Sequence, residues 1–486
     1  MRKIIEPQMK FGEVSIEAIE FDLKSRDEIT KLLIGIQSIY CDKKTRMEAF
    51  AILNELIPKD VDCNNGRKGM DLWKIFVLGM LKLNADIDFD NLHELANNHK
   101  NLRLMLGHSI FDWDDLYALQ TIRDNISLFT PEILDKLNQV FISHGHRLLG
   151  KKKGEEGLKV SCDSFVNKTD VHYPTDINLL WDAMRRTILL IMALSDNLGL
   201  KGWREGLSRL RKVKKAFRRS QQLSRSKSSK NDEAFKIAHL YYLELAESII
   251  AKTKESISFI ASDSILVLLK IDEILKFIGH AERQIDQIHR RVVEGEKIPH
   301  HEKVFSIFEE HTEWINKGKA GVPVELGLRV CIVKDQFGFI LHHRVMQNQT
   351  DDKVAVPIIQ ETLDRFKNIH SCSFDKGFHS PNNQKELATM LDKVILPRKG
   401  KLSAINMEIE DSEEFKQARR KHSAVESSIS ALQNHGLERC RDHGLHGFKR
   451  YVGMAIVARN IQIIGHIVQQ KELKRLERLE KKLVNS

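Results

Sequence analysis

The spacing of hydrophobic and polar positions changes along the chain. From Ile29 to Leu56 the apolar residues Leu32, Leu33, Ile36, Ile39 and Tyr40 recur at helical spacing. Asp60–Gly69, with Asn64, Asn65 and Gly66 in succession, predicts a turn. Met70–Gly150 reads as almost wholly helical. Trp73, Phe76, Val77, Met80, Leu81 and Leu83 form one apolar face, and Phe89-Asp90 opens another helix with Leu92 and Leu95. Asp90–Leu106 has the spacing of a helix-turn-helix, although any all-α domain contains such pairs. The period then drops to two. Leu158, Val160 and Cys162 alternate with Lys159, Ser161 and Asp163, which predicts a half-buried strand with Asp163 at its exit, on the polar face. Alone, Asp163 reads as a turn-initiating residue. A carboxylate at the end of a core strand is also rigidly held and can point into a cleft.

Beyond this strand, Asn178–Asn197 predicts an amphipathic helix, and residues 233–256 and 263–296 predict two long helices packed on each other. Glu325–Lys334 and Phe337–Met346 form a predicted β-hairpin turning at Asp335-Gln336, with Val330, Ile332, Phe339 and Leu341 inward. A helix over Asp352–Phe366 and a short strand His370–Phe374 follow, the strand ending at Asp375. A helix to about Leu391 and a strand over Lys393–Leu396 come next. A single helix is expected over Ser412–Asn434, with Phe415, Ala418, Val425, Ile429 and Leu432 as its buried stripe. Tyr451–Gln469 reads as an apolar core helix, and Lys471–Lys482 as a separate charged helix.

Charge changes the picture. Lys and Arg number 77 against 67 Asp and Glu, a net charge of +10 that favours a polyanionic partner, nucleic acid first. The excess is concentrated between residues 201 and 230. There Lys201, Arg204, Arg209, Arg211, Lys212, Lys214, Lys215, Arg218, Arg219, Arg225, Lys227 and Lys230 stand against Glu205. A solvated helix mixes both signs, whereas a nearly pure basic run suits a phosphate backbone. The six cysteines are scattered without a CxxC pair, which fits a reducing compartment. The N-terminus lacks the long apolar run of a signal peptide, and the longest such run, Ile188–Leu194, is too short to span a bilayer.

Asp375 ends a second strand as Asp163 ends the first. Arg419, His422 and Glu426, spaced three and four apart, are expected to share one helix face beside the apolar stripe. Acids on rigid elements can hold two divalent ions that clamp the attacking and leaving oxygens of an in-line phosphoryl displacement, and Mg²⁺ needs only a few hard oxygen ligands.

The order of elements is strand with Asp163, hairpin, helix, strand with Asp375, helix, strand, helix with Glu426. With the motifs VSCDSFVNKTDVHYPTD, SFDKGFHSPNN and RRKHSAVESSISALQNHGL, it resembles the DDE transposases of bacterial insertion sequences, the ISNCY-like branch in particular. HTEWINKGKAGVPVELG and GRKGMDLWKIFVLGMLKL also look like that group, so the resemblance covers about residues 66–465. It implies an α+β, helix-rich fold: a ribonuclease H-like mixed-sheet catalytic core with a long helical insertion after the first strand, preceded by an all-α domain. The expected division is a DNA-end-binding helical domain over 1–150, a catalytic domain over 151–177 and 320–465, an insertion over 178–319 and a charged C-terminal helix over 466–486. The resemblance implies strand cleavage at element ends and strand transfer into target DNA. Asp163, Asp375 and Glu426 would be catalytic and would bind two Mg²⁺, with Mn²⁺ able to substitute.

Expected DNA contacts are Arg211, Lys212, Lys214, Lys215, Arg218, Arg219, Arg419, Arg420 and His422. The implied partners are double-stranded DNA, as terminal inverted repeats and target, and a second copy of the chain at the working stage, with no membrane. The implied location is the bacterial cytoplasm, at the nucleoid. The chain departs from related families at one motif: where Tyr and Arg precede the final Glu, it has Arg419 and His422, and no Lys follows at the expected distance.

Competing readings attach to other residues. Cys440, His443 and His446, with His435, have spacing that suggests zinc, against a basic DNA-contacting loop with Arg439 and Arg441. Trp314 is a core residue or a base-stacking platform. Asp176 is expected to cap the following helix rather than bind metal. A transposase-derived regulator without catalysis and a structure-specific nuclease are the alternatives in function.

Overall fold

The computed structural model describes residues 2–6, 8–58, 69–112, 114–150, 157–224, 232–316 and 323–484. The expected turn at Asn64-Asn65-Gly66 and the cations Arg225, Lys227 and Lys230 lie outside the described residues. Two compact units emerge, Met1–Asp170 with Ile315–Ser486, and Val171–Trp314.

The first unit begins with helices α1 (Glu28–Cys41), α2 (Lys43–Asn54), α3 (Leu72–Asn84), α4 (Phe89–Asn98), α5 (Lys100–Met105), α6 (Leu119–Ile126) and α7 (Pro131–Leu149). Side chains start several of them: Asp27, Asp42, Asp88 and Thr130 each accept from a main-chain N–H in the first turn. The expected helix-turn-helix is the pair α4 and α5, joined by the single residue His99. Its second helix is only six residues long and buries Leu102, Arg103 and Met105, so little of it is free to enter a groove.

The described residues place seven strands in one mixed sheet, ordered β2-β3-β1-β5-β6, with β4 on β3 and β7 on β1. The strands are β1 (Leu158–Thr169), β2 (Glu313–Asn316), β3 (Val324–Asp335), β4 (Ile340–Val345), β5 (Ile369–Phe374), β6 (Lys393–Ile395) and β7 (Arg439–Cys440). β1 runs antiparallel to β3 and parallel to β5, and β5 runs parallel to β6. This helix-rich, mixed-sheet arrangement is consistent with a ribonuclease H-like core. The hairpin turns later than expected. Asp335 stays in β3, and its carboxylate accepts from the Phe337 and Phe339 N–H groups, both at 2.9 Å. Gly338 takes the left-handed conformation (φ 97°) that closes the loop.

The final helix, labelled α17 here (Gly444–Val484), is continuous. The apolar core segment and the charged tail are one element, because no Gly or Pro separates them near Gln470. By length and composition it could cross a membrane, yet Tyr451, Val452, Ala455, Ile456 and Ile461 are buried within this unit. It crosses α1 with backbones in contact. A Cβ at Gly35 would run into the Ile461 carbonyl, and one at Gly465 into that of Lys31.

The second unit contains α8 (Asp176–Leu198), α9 (Gly206–Ser224), α10 (Asp232–Ser258) and α11 (Ile265–Val292). Thr175, not Asp176, caps α8, its side chain accepting from Asn178 N–H; Asp176 instead pairs with Arg291 at 2.6 Å. The long helices α10 and α11 touch, but each packs chiefly elsewhere, α11 on α8 and α10 on α9. Trp314 is half-buried against Tyr173 and Phe305, with ring centroids 5.7 and 5.5 Å away.

Candidate active site

Asp163 is not at a strand end. It lies midway along β1, paired with Ile332 of β3. The alternation reads short because Ser164 follows on the polar side and the later residues of β1 are buried irrespective of polarity. What ends at this level is the neighbour. β5 pairs with β1 up to Cys162↔Phe374, and the β1 edge is next paired at Lys168, by β7. Asp375 is the first residue beyond β5, so the parallel register carries it alongside Asp163, about one strand spacing (~4.8 Å) away. The Asp375 carboxylate also accepts from Gly377 N–H at 3.5 Å, closing a short turn over Lys376–Phe378.

After β5 and β6 the chain forms α13 (Pro381–Met390), α14 (Ala404–Asp411), α15 (Glu413–His422) and α16 (Ala424–Leu432). The expected single helix over Ser412–Asn434 is broken at Ser423, where α15 ends and α16 begins. Arg419, His422 and Glu426 therefore do not share one helix face. Phe415 and Ala418 are half-buried, while Val425, Ile429 and Leu432 enter the core. Glu426 is exposed, in the first turn of α16, which packs against β1. Lys334 of β3 donates to the Ala424 carbonyl at 2.7 Å and fixes that turn. Arg419 and Arg420 are exposed on α15.

Asp163 lies in the field of the other acids. Burial pushes the Asp163 carboxyl up to about 7; the Ser164 N–H opposes this, and the charges of Asp375, Asp351 and Glu426 add to it. Among the described residues, Asp163, Asp375 and Glu426 form no ion pair. Sequence reasoning missed Asp351, the first residue of α12 (Asp351–Arg365), whose carboxylate accepts from Ser164 Oγ at 2.7 Å. An acid after a Thr at a helix start reads as ordinary first-turn chemistry, so its sequence signal is masked.

His422 is half-buried at the same place. Its Nδ1 is 3.0 Å from Ser373 Oγ, which in turn is 2.9 Å from Ser161 Oγ. Burial lowers its pKa, the charges of Asp375 and Glu426 opposing, and its Nε2 is buried without a partner. Beside these residues a cavity of about 630 Å³ is lined by Lys159, Ser161, Lys334, Ser373, Lys393 and Lys421, among others. Beneath them Cys162 and Cys331 are reduced and buried, with sulfurs 3.4 Å apart.

The donor set fits hard divalent cations: carboxylate oxygens, one of them partly buried, with no basic side chain neutralising them. The three acids are not drawn onto a single point. Among the described residues the one His/Cys/Asp/Glu group with all ligand atoms within 4.8 Å is His108, Asp112 and Asp115, remote in sequence from these acids. There the Lys10 ammonium already stands 3.2 Å from Asp112 and 3.7 Å from Asp115. Of the cysteine and histidines read as a possible zinc set, His435 bonds the Asn84 carbonyl. Arg439 pairs with Asp170 and Arg441 with Asp86, both at 3.2 Å.

In the second unit, Arg211, Lys212, Lys214, Lys215, Arg218 and Arg219 line α9 on its outer side, while Val213, Ala216 and Ser220 face inward. Among the described residues none of these six cations forms an ion pair.

Residues 289–461 match the family described as the transposase DDE domain. The match takes in Asp375 and Glu426 and begins after Asp163. No curated protein and no solved structure matches the chain. This match, over about a third of the chain, supports a DDE transposase.

Proposed function

We propose that the chain cuts DNA at the ends of an ISNCY-like insertion sequence and joins those ends to target DNA, using Asp163, Asp375 and Glu426 as its catalytic acids. The observation that carries this reading is the uncompensated carboxylate cluster around Asp163. Divalent cations, Mg²⁺ or Mn²⁺, would activate the attacking oxygen and stabilise the leaving one in an in-line displacement at phosphorus. Asp163, held within β1, would bind these cations together with Asp375 and Glu426.

The protein's own part is positioning. β1 fixes Asp163, the register with β5 sets Asp375 beside it, and Lys334 anchors the turn that carries Glu426. Lys399, whose ammonium donates to the Gly377 carbonyl at 2.7 Å, adds positive charge beside the loop after Asp375. Arg419 and Arg420, both exposed, would contact the DNA end, whereas His422, expected to join them, has its Nδ1 on Ser373 and its Nε2 buried; the basic face of α9 would follow the phosphate backbone. The N-terminal helices are assigned to recognition of the element's inverted repeats. Two DNA ends require at least a dimer on DNA, and such an enzyme works in the bacterial cytoplasm, at the nucleoid.

The test is cleavage of a labelled element-end duplex in Mg²⁺ by wild type, Asp163→Ala, Asp375→Ala and Glu426→Ala. Wild type should nick at the element boundary, and the three variants should bind the DNA without cutting it. Binding without cutting by wild type would leave a regulator, and cutting without regard to end sequence would leave a general nuclease.

A further inference from the structure

We propose that Asp351 is a fourth acid of this site, holding a divalent cation together with Asp375 across the gap left by Gly377. The inference rests on the preceding reading of Asp163, Asp375 and Glu426, and it adds a residue from a different element.

Ser164 links two of the acids. Its N–H donates to Asp163 Oδ1 at 2.7 Å, and its hydroxyl donates to Asp351 Oδ1 at 2.7 Å. One oxygen of Asp351 is thereby fixed, which leaves Oδ2 available. That oxygen points at Gly377: a Cβ there would lie 3.2 Å from Asp351 Oδ2 and 3.7 Å from Asp375 Oδ2. The missing side chain at 377 keeps open the space between the two carboxylates. Asp351 also contributes to the field on Asp163, alongside Asp375 and Glu426. Among the described residues, none of the four acids forms an ion pair. Four carboxylates gathered without an ion-pair partner are a costly arrangement for the empty protein and a favourable one for bound divalent ions.

The ordinary alternative is that Asp351 only complements the dipole of α12, as any first-turn acid does. Asp352, the next residue of the same turn, serves as the internal control. It has the same relation to the helix, but the Ser164 hydroxyl bond and the Gly377 gap both fall on Asp351.

The experiment is Mn²⁺ binding to the full-length protein without DNA, followed by titration calorimetry and by the electron-spin signal of free Mn²⁺. Asp351→Asn keeps an oxygen that can accept from Ser164 but loses the charge. It should weaken Mn²⁺ binding about tenfold or more, while Asp352→Asn leaves it unchanged. Ser164→Ala, which frees Asp351 to rotate, should weaken binding by less. Asp163→Asn and Asp375→Asn test the underlying reading and should remove at least one bound ion. If they do so while Asp351→Asn binds as wild type does, Asp351 is not part of the cation site and the three-acid reading stands. If Asp351→Asn and Asp352→Asn weaken binding equally, the effect is general charge and the proposal fails. If Asp163→Asn also binds Mn²⁺ normally, the site reading and this proposal fall together.

Discussion

Asp163 is a largely buried acid with other acids in its field, and its titration gives a direct consequence. An exposed Asp ionises near pH ~3.9, whereas in the folded chain burial and the neighbouring acids hold this one up to about 7. The unfolded chain therefore releases the proton first. Stability contributed by this residue is greatest below the unfolded value, declines as pH rises between the two, and stays low above the folded value. In chelator-treated protein, Asp163→Asn should raise stability above pH ~7 by about 2–4 kcal/mol, a gain that vanishes below about pH 4. Urea unfolding at several pH values checks it, and added Mg²⁺ should reverse the order by stabilising wild type alone. A variant less stable than wild type at alkaline pH without metal would contradict the picture of a strained acid cluster. At this scale the sequence was readable where an acid closes the polar side of a strand alternation, as Asp163 does. It was unreadable where an acid obeys a local rule, as Asp351 does at the start of a helix.

Elements are where the pattern of side chains and the fold agree best and where their limits show. The apolar face over Trp73–Leu83 became a buried helix, and the inward residues of the hairpin are buried as expected. β1 runs well past the point where its alternation stops, because its second half is buried on both sides and alternation is then lost. The break at Ser423 carries no Gly or Pro to announce it. It places Glu426 in a first turn, where Lys334 from another strand holds the preceding carbonyl; such long-range bonds leave no periodic trace.

The crossing of α1 and α17 yields a second prediction. Gly465→Ala puts a methyl group into the Lys31 carbonyl and should cost about 2–4 kcal/mol, read as a lower urea midpoint with an unchanged slope. An equally stable variant would mean that the two backbones do not touch. A third prediction concerns α9. Replacing Arg211, Lys212, Lys214, Lys215, Arg218 and Arg219 by Gln leaves Val213, Ala216 and Ser220 packed, so folding should persist. DNA affinity should fall, and the slope of log K against log salt should shrink by about 0.9 for each phosphate that is no longer neutralised. An unchanged slope would remove this helix from the DNA interface.

At the scale of the molecule, the first unit holds together across long sequence separations. Asp135 of α7 accepts from Arg365 of α12 at 2.9 Å and lies 3.7 Å from His342 of β4, joining the N-terminal helices to the sheet. Burial would raise the Asp135 carboxyl, but the bonds to His342 and Arg365 and the Arg365 charge outweigh it and hold the pKa well below the usual carboxylate range. A depressed acid stabilises above its unfolded value and loses that contribution as pH falls through the folded one. Arg365→Ala should thus cost about 1–3 kcal/mol at neutral pH, and the gap to wild type should narrow as pH falls from about 4 toward the low folded value. A gap constant with pH would locate the loss in packing.

The central claim is that Asp163, Asp375 and Glu426 bind the cations that act on the scissile phosphate, and exchanging one ligand atom tests it most directly. Asp375→Cys replaces a hard oxygen with sulfur, which accepts Mn²⁺ far better than Mg²⁺. Single-turnover cleavage of an element-end duplex by this variant should be lost in Mg²⁺ and partly restored in Mn²⁺, with wild type active in both. Cleavage by Asp375→Cys in Mg²⁺ at the wild-type rate would contradict the account.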